Sequence, residues 1–251
     1  MTFLLAIFAS TTTIAVTSAL WAGHTRLQQR VLAWAAGMLL GIGLFWILPE
    51  VAEDSGWFRT LAGVGGTLLL LTLIDRFVCP ICPFCAAGMH SQGGATAACG
   101  RPVRVGWPLL LFGCAHTFFD GWTIALSRAV ASMHSAPALS WGATIHKIPE
   151  SVAIGLLAVQ LTSSRGRALA AVSLIQLVMA AGGVLAILTG NMDSRWPEMS
   201  AMPACALLLL FGFLTLEQEW RNKGRAIAIR AAAPGLLVCG LAALASTILA
   251  Q

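Results

Sequence analysis

WPLLLFGCAHTFFDGWTIALS, residues 107–127, has only two ionisable side chains, His116 and Asp120. A second stretch, ALSWGATIHKIPESVAIGLLAVQ, residues 138–160, carries His146, Lys147 and Glu150 in a similar apolar setting. About 20 mostly apolar residues suffice to cross the hydrocarbon core of a bilayer. Both stretches therefore read as transmembrane helices, and both put ionisable groups where they are costly.

Working outward, further apolar runs follow one another along the chain. Spans are expected near 3–22, 31–50, 60–78, 107–128, 138–160, 167–190, 202–219 and 232–250. The 251 residues are 58% hydrophobic and 10% charged, where a soluble domain carries about 25% charge. In lipid only helices or a closed barrel satisfy the backbone. The expectation is an all-α polytopic membrane protein with eight transmembrane helices, forming one transport domain over 1–251. The opening MTFLLAIFASTTTIAVTSALWAG lacks a basic leader and reads as a retained first span, not a cleaved signal peptide. Of nine Trp, with no Tyr beside them, Trp21, Trp57, Trp107, Trp196 and Trp220 fall near span ends, where indole suits the interface.

The net charge of +5 does not point to nucleic acid, because the basic residues sit in short loops between spans. Arg26 and Arg30 follow span 1. Arg76, Arg101 and Arg104 follow span 3, and Arg165 and Arg167 follow span 5. Arg221, Lys223, Arg225 and Arg230 follow span 7. These eleven of the 15 Lys and Arg lie in odd-numbered loops. The alternate loops are poor in them: Glu50, Glu53 and Asp54 stand against Arg59, and Asp193 and Glu198 against Arg195. Positive loops stay inside, so both termini are expected outside the cytoplasm and the loop 79–104 inside it. The expected location is a bacterial inner (plasma) membrane.

His116 and Asp120 are four residues apart and share a helix face, as do His146 and Glu150. His116 is about nine residues into its run, roughly 14 Å deep at the rise of an α-helix. A charged side chain at that depth costs about 2.5–3.5 kcal/mol on the gentlest scale. Two imidazoles, two carboxylates and Lys147 on adjacent spans need an offset, and a bound cation supplies one. Imidazole with carboxylate suits first-row divalent ions such as zinc, iron or manganese. Pro149 lacks an N–H, which leaves the carbonyl of Ile145 without its helical partner. The competing expectation is that the groups only neutralise one another, His116 with Asp120 and Lys147 with Glu150.

HTFFDG in span 4 and HKIPES in span 5 resemble the paired signatures of the ZIP (Zrt-, Irt-like) metal transporters. That family carries His-Asn-x-x-(Asp/Glu)-Gly in span 4 and (His/Gln)-(Glu/Asp)-x-Pro-(Glu/His)-(Glu/Gly) in span 5. GMLLGIGLFWILPEV (37–51), GVGGTLLLLTLIDR (63–76) and CALLLLFGFLTLEQE (205–219) extend the similarity more diffusely. The resemblance implies an inverted repeat, spans 1–3 against spans 6–8, around central spans 4 and 5. It also implies that His116, Asp120, His146 and Glu150 form the transport site. Thr117 departs from the family's Asn and Lys147 from its acid, and span 6 offers only Gln176 where some members have a carboxylate. Those positions build a second metal site in binuclear members. The expectation is therefore one ion, with the Lys147 ammonium standing in for the second and weakening affinity for the first by like-charge repulsion. Trp46, where relatives place a polar residue or His, suggests a narrower or more apolar path.

CPICPFCAAGMH, residues 79–90, offers Cys79, Cys82, Cys85 and His90, with Cys99 further on. On the cytoplasmic side structural disulfides are rare, and the C-x-x-C-x-x-C spacing brings three thiolates within reach of one soft ion. The expectation is a loop site for Zn2+ or another soft ion; incidental or lipidated cysteines are the plainer alternative.

Cys114, Cys205 and Cys239 are expected as small core residues, with Cys114 off the metal face. Glu217 and Glu219 read as solvated span-end charges, His24 as juxtamembrane and His134 as a loop residue. Gly63, Gly65 and Gly66 suit close helix packing, as do Gly182 and Gly183. The function expected is transport of a divalent transition-metal ion toward the cytosol, zinc first and iron or manganese behind it. Lipid and divalent ions are the expected partners, and the pattern leaves room for a homodimer. A membrane-embedded metalloenzyme is the rival, weakened by the absence of an H-E-x-x-H motif. A sensor that binds without transporting, signalling through the Cys loop, is the third class.

Overall fold

A computed structural model describes residues 2–20, 25–77, 106–129, 144–162, 164–189 and 195–249. The described residues are helical, with no strand among them. In chain order the helices are α1 (Thr2–Leu20), α2 (Thr25–Ile42), a π-helical turn (Gly43–Ile47), α3 (Leu48–Ser55) and α4 (Trp57–Phe77). They continue with α5 (Gly106–Ala129), α6 (Lys147–Leu161), α7 (Arg165–Thr189), α8 (Arg195–Lys223) and α9 (Arg225–Leu249). Described helix overlaps each of the eight apolar stretches, covering the fifth only from residue 144 onward. The loop 79–104, with Cys79, Cys82, Cys85, His90 and Cys99, lies outside the described residues, as do His24 and His134.

Five helical segments are long and apolar enough to cross a membrane: Ala33–Ser55, Trp57–Phe77, Arg165–Thr189, Ala201–Arg221 and Arg225–Ala245. Their apolar surface and length mark an integral membrane protein. Ala6–Leu20 is a shorter apolar helix. The other two expected spans fall on α5 and α6, the helices that carry the ionisable residues.

The helices stop where glycine allows it. Gly56 (φ 83°) separates α3 from α4, and Gly224 (φ 89°) separates α8 from α9. Positive φ costs glycine nothing and other residues much. In each case the glycine N–H still closes the last turn, Gly56 onto Ala52 O at 2.9 Å and Gly224 onto Trp220 O at 2.8 Å.

Packing divides the helices into two groups. Met38, Leu39, Ile42 and Ile47 bury with Val51, Val64, Cys205, Leu208, Phe211 and Cys239, which joins α2, α3, α4, α8 and α9. Ala15, Ile154, Ala158, Ala168, Val172 and Ile175 join α1, α6 and α7, and Ile7, Ile124 and Met179 bring in α5. With lipid outside, close approach of backbones supplies much of the attraction between such helices. A Cβ on Gly121 would collide with Met179 O, and one on Gly182 with Phe118 O, so α5 and α7 touch along their backbones. Gly37 against Ala232 O and Gly235 against Trp34 O do the same for α2 and α9, and Gly155 against Ala15 O for α6 and α1. Gly63 packs on Met202, but Gly65 and Gly66 meet nothing within 4 Å and are exposed. Only one of the three glycines expected to pack on α4 does so. Residues 65 and 66 lie on the outward side, because α4 contacts its neighbours through the face of Thr60, Gly63 and Val64.

Cys205 and Cys239 are core residues, as expected, and each thiol lies near a carbonyl of the 38–43 segment: Cys205 Sγ 3.4 Å from Gly43 O, Cys239 Sγ 3.6 Å from Met38 O. Trp46 lies in the π-turn and its indole N–H donates to Cys239 O at 2.9 Å. Its polar atom is thereby committed to α9.

Candidate metal site

His116 and Asp120 project from consecutive turns of α5. The partner pair comes from the start of α6. Thr144 and Ile145 are helical, His146 is a turn residue, and the regular helix opens at Lys147. The break falls three residues before Pro149, whose missing N–H leaves Ile145 O without its usual donor. Pro149 was expected to disturb the helix at this point; His146 sits just ahead of Lys147, where the regular helix opens, and Glu150 N–H still reaches His146 O at 3.2 Å. That single turn sets the imidazole above the carboxylate.

The four side chains converge. His116 Nε2 is 3.4 Å from Asp120 Oδ2 and 3.9 Å from Glu150 Oε2. His146 Nε2 is 3.5 Å from Asp120 Oδ2 and 3.4 Å from Glu150 Oε2. One ligand atom from each of the four residues lies within 4.8 Å of the others. Zinc–nitrogen and zinc–oxygen bonds are about 2.0–2.1 Å, which makes the edge of a regular tetrahedron about 3.3 Å. Three of the four measured edges are within a few tenths of an ångström of that length. The donor set is two imidazole nitrogens and two carboxylate oxygens. His116 is partly buried and the other three residues are buried.

Lys147 is the largest fully buried side chain among the described residues. Its Nζ lies 2.5 Å from Asp120 Oδ2 and 2.5 Å from Glu150 Oε2. It also donates to Thr117 Oγ1 at 3.4 Å, and Thr117 in turn donates to Glu150 Oε1 at 3.1 Å. The ammonium thus binds the same two oxygens that face the imidazoles. Formally, two carboxylates and one ammonium leave a single negative charge when both imidazoles are neutral, and one protonated imidazole cancels it. Both expected pairings, His116 with Asp120 and Lys147 with Glu150, are present.

Two features around the cluster were not legible beforehand. The ring of Phe211 on α8 stands edge-on to His116, centroids 6.4 Å apart at 81°. This contact ties α5 to the other packing group. Gln176 on α7 is buried, with its amide oxygen 3.0 Å from the Thr11 hydroxyl and Nε2 donating to Ser151 Oγ at 3.5 Å. It links α1, α7 and the residue after Glu150. Gln176 was singled out in the sequence only for lacking a charge; nothing there pointed to Thr11 or Phe211.

The remaining candidates lie elsewhere. Cys114 packs among Ala15, Ile154 and Val172, away from the donors. Glu217 pairs with Arg221 and Glu219 with Lys223, each at 2.6 Å one turn along α8. These acids have partners of their own at the helix end.

No protein-family model matches the chain, and no curated protein matches it either. The likeness to the ZIP transporters therefore stands on the motif residues themselves, chiefly HTFFDG and HKIPES.

Proposed function

We propose that the protein is a divalent transition-metal transporter with the ZIP-like arrangement of eight spans, carrying one ion at a time past His116, Asp120, His146 and Glu150. The observation that carries this reading is the set of four donors at near-tetrahedral edge lengths, buried on two helices within a membrane protein. Buried carboxylates in a membrane are retained where function needs them.

The inverted repeat finds support in the pattern of neighbours. If spans 1, 2 and 3 exchange with 6, 7 and 8, and span 4 with span 5, then each packed pair should map onto another. The pair α2–α9 maps onto α8–α4, and α1–α6 maps onto α7–α5; all four pairs are in contact. The glycine joints Gly56 and Gly224 also correspond under this exchange.

Zinc is the favoured cargo. It accepts four nitrogen and oxygen donors without distortion, and the thiol-rich segment 79–90 suits the same ion. The positive odd-numbered loops give the orientation: termini outside, the Cys-rich loop inside, transport toward the cytosol across a bacterial inner membrane. The Lys147 ammonium already lies on the two carboxylate oxygens that face the imidazoles, and its charge favours a single ion. The same ammonium supports a second reading, a sensor that holds an ion without releasing it. A membrane-embedded hydrolase is disfavoured, because among the described residues the cluster holds one ionisable group beyond the four donors, Lys147, and its ammonium is committed to Asp120 and Glu150.

Liposomes containing the purified protein and a metal-sensitive dye separate these readings. Zinc influx that disappears in His116→Ala and His146→Ala supports the transporter. Tight zinc binding without flux of any divalent ion would replace it with the sensor.

A further inference from the structure

Threonine hydroxyls in these helices mostly bond back to their own backbone. Thr13, Thr17, Thr67, Thr72, Thr162, Thr189 and Thr215 each donate to the carbonyl four residues earlier, at 2.7–2.8 Å. Thr117 differs. Its side chain is fully buried and its hydroxyl crosses from α5 to α6, donating to Glu150 Oε1. Lys147 Nζ approaches the same hydroxyl oxygen at 3.4 Å. A hydroxyl has one proton and two lone pairs. With the ammonium on a lone pair, the proton is directed to the carboxylate.

The two oxygens of Glu150 therefore have different neighbours. Oε1 is held by Thr117, while Oε2 takes the Lys147 ammonium at 2.5 Å and faces His146 at 3.4 Å and His116 at 3.9 Å. Carboxylates bind ions through one oxygen or through both. An ion among the imidazoles meets Oε2 alone unless the Thr117 bond is broken.

We propose that Thr117 is a specificity-determining positioning residue: by engaging Oε1 it keeps Glu150 a one-oxygen ligand and lowers the coordination number the site offers. This inference rests on the metal-site reading above and names the ions that site prefers. Zn2+ and Co2+ are content with four mixed nitrogen and oxygen donors. Mn2+ prefers six oxygen ligands and gains most from a second carboxylate oxygen. The site thus discriminates against manganese through a residue that touches no ion.

The test uses the full-length protein in detergent, with Co2+ as the spectroscopic probe and Mn2+ against Zn2+ in competition. With Cys79, Cys82 and Cys85 changed to Ser in every protein compared, the chain with Thr117 is expected to bind one Co2+ with the intense visible bands of four-coordination. Thr117→Val and Thr117→Ala free Oε1, so the bands weaken toward five-coordination and the Mn2+-to-Zn2+ affinity ratio rises. Loss of a partner that holds a ligand ordinarily changes metal affinity by roughly 10- to 100-fold. Thr117→Ser keeps the hydroxyl and restores both readouts. An unchanged spectrum and ratio in a folded Val or Ala variant overturns the proposal, and so does a spectrum of five- or six-coordination with Thr117 in place. Binding in detergent needs no transport, so absent flux with these spectral changes removes only the transporter. Co2+ bound equally well by His116→Ala removes the metal site and this inference together.

Discussion

Lys147 Nζ on α6 lies 2.5 Å from Oδ2 of Asp120 on α5, so the two central helices are joined by a buried ion pair as well as by any ion they share. The same ammonium reaches Glu150 Oε2. Lysine here is a fixed counter-charge inside the cluster, at the position where the family resemblance leads one to expect an acid.

Replacing Lys147 by Met should destabilise the metal-free protein. Two buried carboxylates would lose their common partner, and breaking such a pair costs about 3–5 kcal/mol. An ion that binds only the folded form stabilises it by mass action, and here it would also supply the missing positive charge. Thermal melting in detergent should show a large drop without metal and a larger rescue by Zn2+ than wild type displays. Equal zinc responses in the two proteins would contradict this.

Ala at His116, Asp120, His146 or Glu150 removes one of four donors. Each variant should elute as a folded species yet bring zinc uptake in liposomes down to background. With Cys79, Cys82 and Cys85 changed to Ser so that the loop contributes no ion, the purified protein should carry one transition ion per chain by elemental analysis; two would refute the role given to Lys147.

How much of this could be read from the chain depended on which interaction set the outcome. The four-residue cluster was legible because helical spacing is local: residues four apart share a face, and charge deep in an apolar run is conspicuous. The break at His146 followed from Pro149 for the same reason. Five spans met the membrane criteria outright among the described residues; α5 and the start of α6 carry the ionisable cluster. Phe211 and Thr11 were invisible, since an apolar ring or a helical hydroxyl acquires its role only from what another helix presents. The glycines of α4 were over-read: spacing alone does not say which face of a lipid-exposed helix meets a neighbour.

Glycine substitutions should therefore split sharply by position. Gly121→Leu or Gly182→Leu forces a side chain into a carbonyl of the facing helix, and overpacking of this kind costs about 1–3 kcal/mol or more. Gly65→Ala and Gly66→Ala add a methyl into open space and should stay within about 0.5 kcal/mol of wild type. Melting temperatures of the four variants decide it; a silent Gly121→Leu would mean α5 and α7 are not in backbone contact.

Serine at Cys79, Cys82 and Cys85 together should remove one soft ion per full-length chain while leaving liposome uptake at saturating zinc intact. Metal content measured before and after the change checks this. An unaltered content would assign those cysteines no metal.

The π-turn at Gly43–Ile47 has a consequence of its own. Leu48 N–H reaches back five residues to Gly43 O instead of four, so this turn holds one residue more than its neighbours. Each residue of an α-helix advances about 100° around the axis. Glu50, Glu53 and Asp54 are accordingly swung by about that angle from where an unbroken helix begun at Thr25 would aim them. Deleting any one residue between 43 and 47 would rotate this acidic tip by more than a quarter-circle while leaving the composition of the helix almost unchanged. The compass bearing of the acidic end is thus stored as a surplus residue, which no helical wheel drawn through the segment would display.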